Sequence, residues 1–339
     1  MENHNLHFVV ESHIPYIKGL LEPYGSVTYL APEDIDAKAV ADADALIVRT
    51  RTRCNAALLA GSRCSLVASA TIGTDHMDLP WLAEAGIEAC NAPGCNAPAV
   101  GQYVMASILT LANRPASQYT IGIVGVGHTG SIVEKWARAL DMEVMLCDPP
   151  RQAAEGGDGW HSLDEIAEKA DIITFHTPLD ATTRHMADAD FFNKLRRRPI
   201  IINCARGPVV DNAALTEALQ SGKVHHAVID CWENEPNISR TLLQLCSIAT
   251  PHIAGYSSEG KQRATRMALA AVSRHFGLPE IDLGIPAPAN APEKVTPRAV
   301  LQSYSPITDT AALKAAPEAF ERLRNTYALR NEVKGAKVD

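Results

Sequence analysis

Residues 120–130 read Thr120-Ile121-Gly122-Ile123-Val124-Gly125-Val126-Gly127-His128-Thr129-Gly130. The apolar run before Gly125 has the length of a buried strand, and 131–140 repeats apolar residues at helical spacing. Alone, a Gly-x-Gly-x-x-Gly run means little, because glycine-rich turns are common. Between a strand and a helix it acquires a physical meaning. Gly125 permits the tight turn, Gly127 lets a pyrophosphate approach the backbone, and Gly130 permits close packing of helix on strand. The start of the helix, with His128 and Thr129 in the same loop, offers free N–H groups and a positive dipole end to phosphates. Asp148 ends the next strand, at the distance of roughly 20 residues where a carboxylate bridges the adenosine ribose hydroxyls. A carboxylate there repels a 2′-phosphate and favours NAD over NADP; Arg151, close by, works against that preference.

Outward from this loop, short apolar runs alternate with amphipathic stretches almost throughout, the pattern of parallel α/β folding. Strands are expected at 6–10, 27–30, 45–48, 66–70 and 87–90, with a helix starting at Pro15. A long helix is expected over 98–113. The second set of strands lies at 120–124, 143–147, 172–176, 200–204, 226–230 and 247–250, six in all, as a complete dinucleotide-binding domain requires. A helix over 258–276 then precedes a stretch rich in Pro and Ala, 283–297. The domain division read from this is 1–95 for a first α/β domain and 96–255 for the nucleotide domain. Residues 256–280 form a helix returning to the first domain, and 281–339 an extension.

Composition excludes other classes. With 46% hydrophobic and 21% charged residues the chain reads as an ordinary globular protein. No apolar run reaches the roughly 18 residues of a membrane span. The stretch 1–10 has no basic segment ahead of an apolar one, so no secretory leader is expected and the cytoplasm is the default. A net charge of −8 argues against nucleic acid or an anionic membrane as partner. The eight cysteines are scattered without a Cys-x-x-Cys pair, which fits buried thiols and no metal site.

Three residues follow predicted strands at the edge where open α/β sheets bind ligands: Arg206, Glu235 and His252. Oxidising a secondary alcohol needs a base for the hydroxyl proton, an acceptor for the hydride and a cation for a carboxylate. His252 suits the role of base, because imidazole as a group titrates near neutral pH. Glu235 could hold its tautomer, and Arg206 offers a planar fork that matches a carboxylate. Singly, each is as well read as a solvated Arg, a helix-starting Glu or a core-edge His.

Taken with Gly73-Thr-Asp-His-Met-Asp, Asn203-Cys-Ala-Arg206-Gly, Asp230-Cys-Trp-Glu-Asn-Glu235-Pro and Thr250-Pro-His252-Ile-Ala-Gly, the chain resembles the D-2-hydroxyacid dehydrogenase family. The resemblance covers about 6 to 277. It implies a Rossmann dinucleotide-binding domain, a flavodoxin-like α/β substrate domain and a C-terminal α+β extension. Finer motifs, among them Val48-Arg-Thr, Ala92-Pro-Gly-Cys-Asn and His252-Ile-Ala-Gly-Tyr-Ser-Ser-Glu-Gly, resemble the branch acting on a small phosphorylated 2-hydroxy acid in vitamin B6 synthesis. That resemblance implies catalysis by Arg206, Glu235 and His252. It implies NAD contacts at Asp148, Thr177, Asp230 and Gly255, and substrate contacts at Thr50, Thr71 and Tyr256. Position 50 is Thr where the branch has Ser, which keeps the hydroxyl.

A phosphorylated substrate also gives the run Arg49-Thr-Arg51-Thr-Arg53 a purpose, with Arg49 or Arg53 as the expected phosphate contact. Strict alternation would set the arginines opposite Thr50 unless the strand ends there. Another 2-hydroxy acid dehydrogenase, of 3-phosphoglycerate or glyoxylate/hydroxypyruvate type, is the alternative. An NADH-sensing regulatory protein is disfavoured because no low-complexity tract accompanies the scaffold. The extension is expected to form a homodimer through a helix over 317–327 with Phe320, Leu323 and Tyr327 on one face. Arg322, Arg324 and Arg330, on its other faces, are expected to reach a phosphate in the neighbouring subunit.

Overall fold

The computed structural model describes residues 5–334. Residues 1–4, part of the stretch read for a leader, and 335–339, the last of the extension, lie outside the described residues. The chain divides into two units, Met1–Asn96 with Ser258–Ala289, and Ala97–Ser257 with Asn290–Asp339.

The first unit holds five parallel strands, β1 (Leu6–Glu11), β2 (Gly25–Leu30), β3 (Ala45–Val48), β4 (Leu66–Ser69) and β5 (Glu88–Cys90). Their order is β2-β1-β3-β4-β5, the doubly wound arrangement of a flavodoxin-like sheet. Successive side chains alternate between faces. Phe8, Ile47 and Ala68 pack with Leu269 and Val272 of the helix Ser258–Phe276, while Val9, Leu46 and Val67 pack with Leu59 and Leu82. Both faces are covered, which is why these strands read as unbroken apolar runs. No helix starts at Pro15. Turns take its place, with Tyr16 at φ 65 and Gly19 at φ 87, and still bury Ile14, Ile17 and Leu21. Helical spacing of three apolar residues is met there by a chain that no continuous helical backbone could follow.

The second unit holds β6 (Thr120–Val124), β7 (Glu143–Cys147), β8 (Ile172–Phe175), β9 (Ile200–Asn203), β10 (His226–Ile229) and β11 (Ile248–Ala249), all parallel. Their order, β11-β10-β9-β8-β6-β7, reverses between β6 and β8, and that switch point opens the crevice where such sheets bind ligands. Beyond β7 a single bridge from Leu146 to Trp160 stands where a further strand would pair.

Residues 290–334 belong to this second unit. They form helices Pro297–Ser303, Pro306–Ala315 and Phe320–Asn325, the last preceded by a 3₁₀ turn, Pro317–Ala319. Instead of the strands expected of an α+β extension, the described residues there contribute one bridge, Arg330 to Ser257. Phe320 is fully buried and Leu323 packs beside it against the core formed by Phe191, Leu242 and Leu243. Tyr327 lies edge-on to Tyr256, with ring centres 6.1 Å apart. The apolar face expected to meet a second subunit is therefore covered by its own chain. Among the described residues, no helix is long and apolar enough to cross a membrane.

Candidate active site

The glycine loop meets β8 at the switch point. Gly125 sits at φ 85, and a Cβ there would come within 2.8 Å of the His176 carbonyl carbon and the Thr177 nitrogen. A Cβ at Gly130 would lie 2.0 Å from the Gly125 oxygen, so only glycine lets the helix His128–Ala139 close on β6. Gly127 differs. A Cβ there would meet nothing within 4 Å, which is the open approach that a pyrophosphate needs. Asp148 accepts from the Val126 N–H at 2.8 Å and from the Arg151 N–H at 3.0 Å, capping the helix Pro149–Glu155. A carboxylate has about four lone-pair positions, so two remain for ribose hydroxyls. The Arg151 guanidinium is engaged with the Val126 carbonyl at 2.7 Å and Glu155 at 2.5 Å. Thr177 is half-buried directly after β8, its hydroxyl 3.9 Å from the Met186 sulfur. These residues fit a dinucleotide.

Glu235 and His252 come together across the ends of β10 and β11. His252 Nδ1 lies 2.9 Å from Oε2 and 3.2 Å from Oε1 of Glu235, and Oε1 also accepts the Trp232 N–H at 2.7 Å. Burial pushes the Glu235 carboxyl up, but the charge and hydrogen bond of His252 outweigh it and hold the group below the usual carboxylate range. An anionic Glu235 accepts from Nδ1–H and leaves Nε2 as the basic nitrogen of the ring. His252 has φ 57, in the left-handed region, where a non-glycine residue needs outside support.

Asp230 supplies part of that support. Its Oδ1 accepts from the Thr250 hydroxyl at 2.6 Å and the Ile253 N–H at 2.7 Å, and its Oδ2 accepts from the Ala254 N–H at 3.0 Å. Tyr103 donates in turn to Thr250 at 2.7 Å. Asp230, expected as a cofactor contact, is 1% exposed and holds the turn around His252. Gly255, also expected at the cofactor, lies half-buried in the same turn.

Arg330 supplies the rest. It is buried and donates to the carbonyls of Ile253 and Tyr256 at 3.0 Å, Ala99 at 3.1 Å, and Ala254. Its Nε reaches Gln102 at 3.0 Å, and its guanidinium stacks 4.4 Å from the Tyr304 ring. Expected to reach a neighbouring subunit, this arginine is enclosed within its own unit. Sequence reasoning missed its role because nothing local marks an arginine that binds carbonyls more than seventy positions away.

Arg206 follows β9, half-buried, with Nη1 donating to the Ala205 carbonyl at 2.9 Å. Gly207, also missed, permits the loop: a Cβ there would lie 2.0 Å from the Trp232 oxygen. Its place beside Arg206 was the available signal. Cys231, Glu235 and His252 bring ligand-capable atoms within 4.8 Å of one another. The Cys231 thiol, pushed well up by burial, donates to the Ala205 carbonyl, and the other two are bonded to each other, so the cluster reads as an acid–base pair.

In the first unit, β3 stops at Val48, which removes the alternation that would have set Arg49 opposite Thr50. The Arg49 N–H donates to the buried Glu11 at 2.8 Å and its Nη1 to the His13 carbonyl at 3.2 Å. Thr50 is exposed. Thr71, two residues past β4, shares a 2.8 Å hydrogen bond with Ser69. Both threonines thus lie at the carboxyl edge of the sheet.

Comparison with known proteins agrees with this geometry. The family model described as D-isomer specific 2-hydroxyacid dehydrogenase, NAD binding domain, matches residues 103–254. The chain belongs to the D-isomer specific 2-hydroxyacid dehydrogenase family, NAD-dependent oxidoreductases. More particularly, it is similar to erythronate-4-phosphate dehydrogenase of Bacteroides thetaiotaomicron, 46% identical over 97% of this chain and 98% of that protein. Its identity to the protein of the same name from Ectopseudomonas mendocina is 44%, over 98% and 94%. D-lactate dehydrogenase from Aquifex aeolicus, solved with NAD and lactic acid, shares the fold. Its TM-score is 0.69 and its identity 23%, covering 80% of this chain and 96% of that one. D-mandelate dehydrogenase from Rhodotorula graminis does so at a TM-score of 0.70 and 24% identity, covering 85% and 98%.

Proposed function

We propose that this chain oxidises 4-phospho-D-erythronate to 3-hydroxy-2-oxo-4-phosphooxybutanoate, with NAD as acceptor, in the synthesis of pyridoxal 5′-phosphate. The observation that carries the reading is the Glu235–His252 pair at the carboxyl edge of the sheet that also holds the glycine loop. The names of the relatives at 46% and 44% identity support the choice of substrate.

Bound NAD would supply the hydride acceptor for C2 of the substrate. His252 Nε2 takes the hydroxyl proton, and the anionic Glu235 stabilises the imidazolium that forms. Arg206 holds the carboxylate and polarises the nascent keto oxygen. Gly125, Gly127, Gly130, His128, Thr129, Asp148, Thr177, Asp230 and Gly255 hold the cofactor. Thr50, Thr71, Tyr256 and Arg49 are the proposed substrate contacts. The eight cysteines are all free thiols, which supports a reducing compartment, the cytoplasm.

The test is NADH production by the purified protein with 4-phospho-D-erythronate, D-3-phosphoglycerate and D-glycerate in turn. The first should give the highest kcat/KM; a faster rate with either of the others overturns the reading. We also propose a homodimer. Phe320 is covered by its own chain, while Leu301 and Ile307 on the extension, 43% and 48% exposed, are apolar side chains open to a partner. Light scattering should return twice the chain mass, and a monomer would refute it.

A further inference from the structure

We propose that Arg324 is a specificity-determining residue whose guanidinium, with the Tyr256 hydroxyl, forms the subsite for the phosphate of the substrate. The proposal rests on the phosphorylated substrate argued above and adds the group that recognises its phosphate. Arg324 belongs to the short helix Phe320–Asn325, yet its side chain is only 18% exposed. Its Nε donates to the Tyr256 hydroxyl at 3.2 Å, four residues beyond His252. It also lies close enough to Glu235 for each charge to act on the other.

A guanidinium this enclosed needs an anion. The carboxylates at hand do not supply one closely. Glu321 stands 3.8 Å from Nη1, and Glu235 is bonded to His252 and Trp232. A planar fork beside the acid–base pair and incompletely matched by carboxylates is suited to a phosphate, which it meets with two parallel N–H···O bonds. A substrate with two anionic ends needs two cationic sites, and Arg206 is assigned to the carboxylate. The sequence placed Arg324 near a phosphate of a neighbouring subunit; the structure puts it beside Tyr256 and Glu235 of its own.

The test compares Arg324→Gln with the wild-type protein on 4-phospho-D-erythronate and on D-erythronate, which lacks the phosphate. Losing one charge-assisted contact should lower the ratio of their kcat/KM values roughly 10- to 100-fold, mostly through KM for the phosphorylated acid. An unchanged ratio overturns the proposal, because a purely structural or electrostatic effect on Glu235 would reduce both substrates alike. A second readout needs no turnover. Inorganic phosphate should raise the Tm of the wild-type protein and not that of Arg324→Gln; an equal rise in both also overturns it. NADH binding by fluorescence checks the fold. If Arg324→Gln fails that check, Arg324→Lys carries the same comparison, with a smaller loss in the ratio expected and no loss refuting. Should the wild-type protein ignore 4-phospho-D-erythronate while the phosphate shift still depends on Arg324, the proposed substrate is wrong and the anion subsite stands.

Discussion

Two loops at the carboxyl edge of one sheet, 125–130 after β6 and 250–256 after β11, both carry a residue in the left-handed backbone region. In the first that residue is Gly125, at φ 85, and the loop needs little else: it works through backbone N–H groups, so no side chain is required. In the second it is His252, at φ 57, and the imidazole must be kept. Glycine is barred there by the chemistry, so the conformation is held from outside. Asp230 takes the Thr250 hydroxyl and two N–H groups of the turn, and Arg330 takes three of its carbonyls. Trp232 Nε1 donates to the Thr250 carbonyl at 2.9 Å. A backbone task can be written locally in glycines, whereas a side-chain task in the same conformation needs partners brought from elsewhere in the chain.

The largest effect should come from removing what the second loop exists to present. His252→Ala should lower turnover roughly 10²- to 10⁴-fold while NADH fluorescence still reports binding at the first loop. Near-normal turnover would break the division of labour. Arg330→Ala attacks the outside support directly. Several buried carbonyls would lose their donor, so unfolding in urea should show a loss of about 3–5 kcal/mol. A loss under about 1 kcal/mol would mean that the turn holds its own shape.

The other two glycines sharpen the account of the first loop. Gly130→Ala puts a methyl against the Gly125 oxygen and should cost about 1–3 kcal/mol of stability together with cofactor affinity. Gly127→Ala meets no protein atom and should leave Tm in place while weakening NAD about tenfold or more. If calorimetry and NADH titration give both variants the same profile, the loop is not divided between packing and binding.

The smallest effect is one of pH. Glu235→Gln removes the anion beside the imidazolium, so the acid limb of the pH–rate profile should move toward lower pH. Stability should respond with the opposite partner in view. The Glu235 carboxyl lies below its usual range in the folded protein, so its contribution is present above that range and is lost as pH falls through the folded value. The Tm gap between wild type and Glu235→Gln should therefore narrow from pH 7 toward acid. A gap that stays constant would show that the carboxylate is not charge-paired.

What the sequence determined by itself was whatever depends on neighbours along the chain. Alternating runs of strand and helix period, a glycine loop between 121–124 and its helix, and an acid at 148 all follow from local periodicity and backbone sterics. The observed strands β6 and β11, first and last of that sheet in chain order, lie within one residue of those read. Local rules misread the helix expected from Pro15, where turns stand, and the resemblance implied an α+β extension where the described residues are helical. They also left Phe320 facing another subunit and Arg330 at the surface. Only the tertiary structure decided those points, because burial of Phe320 and the enclosure of Arg330 among the carbonyls of Ala99, Ile253, Ala254 and Tyr256 depend on residues far apart in the chain. No period or spacing encodes such an encounter. It is set when the apolar faces of the sheet and the extension are buried together, and the polar groups caught between them must then find each other.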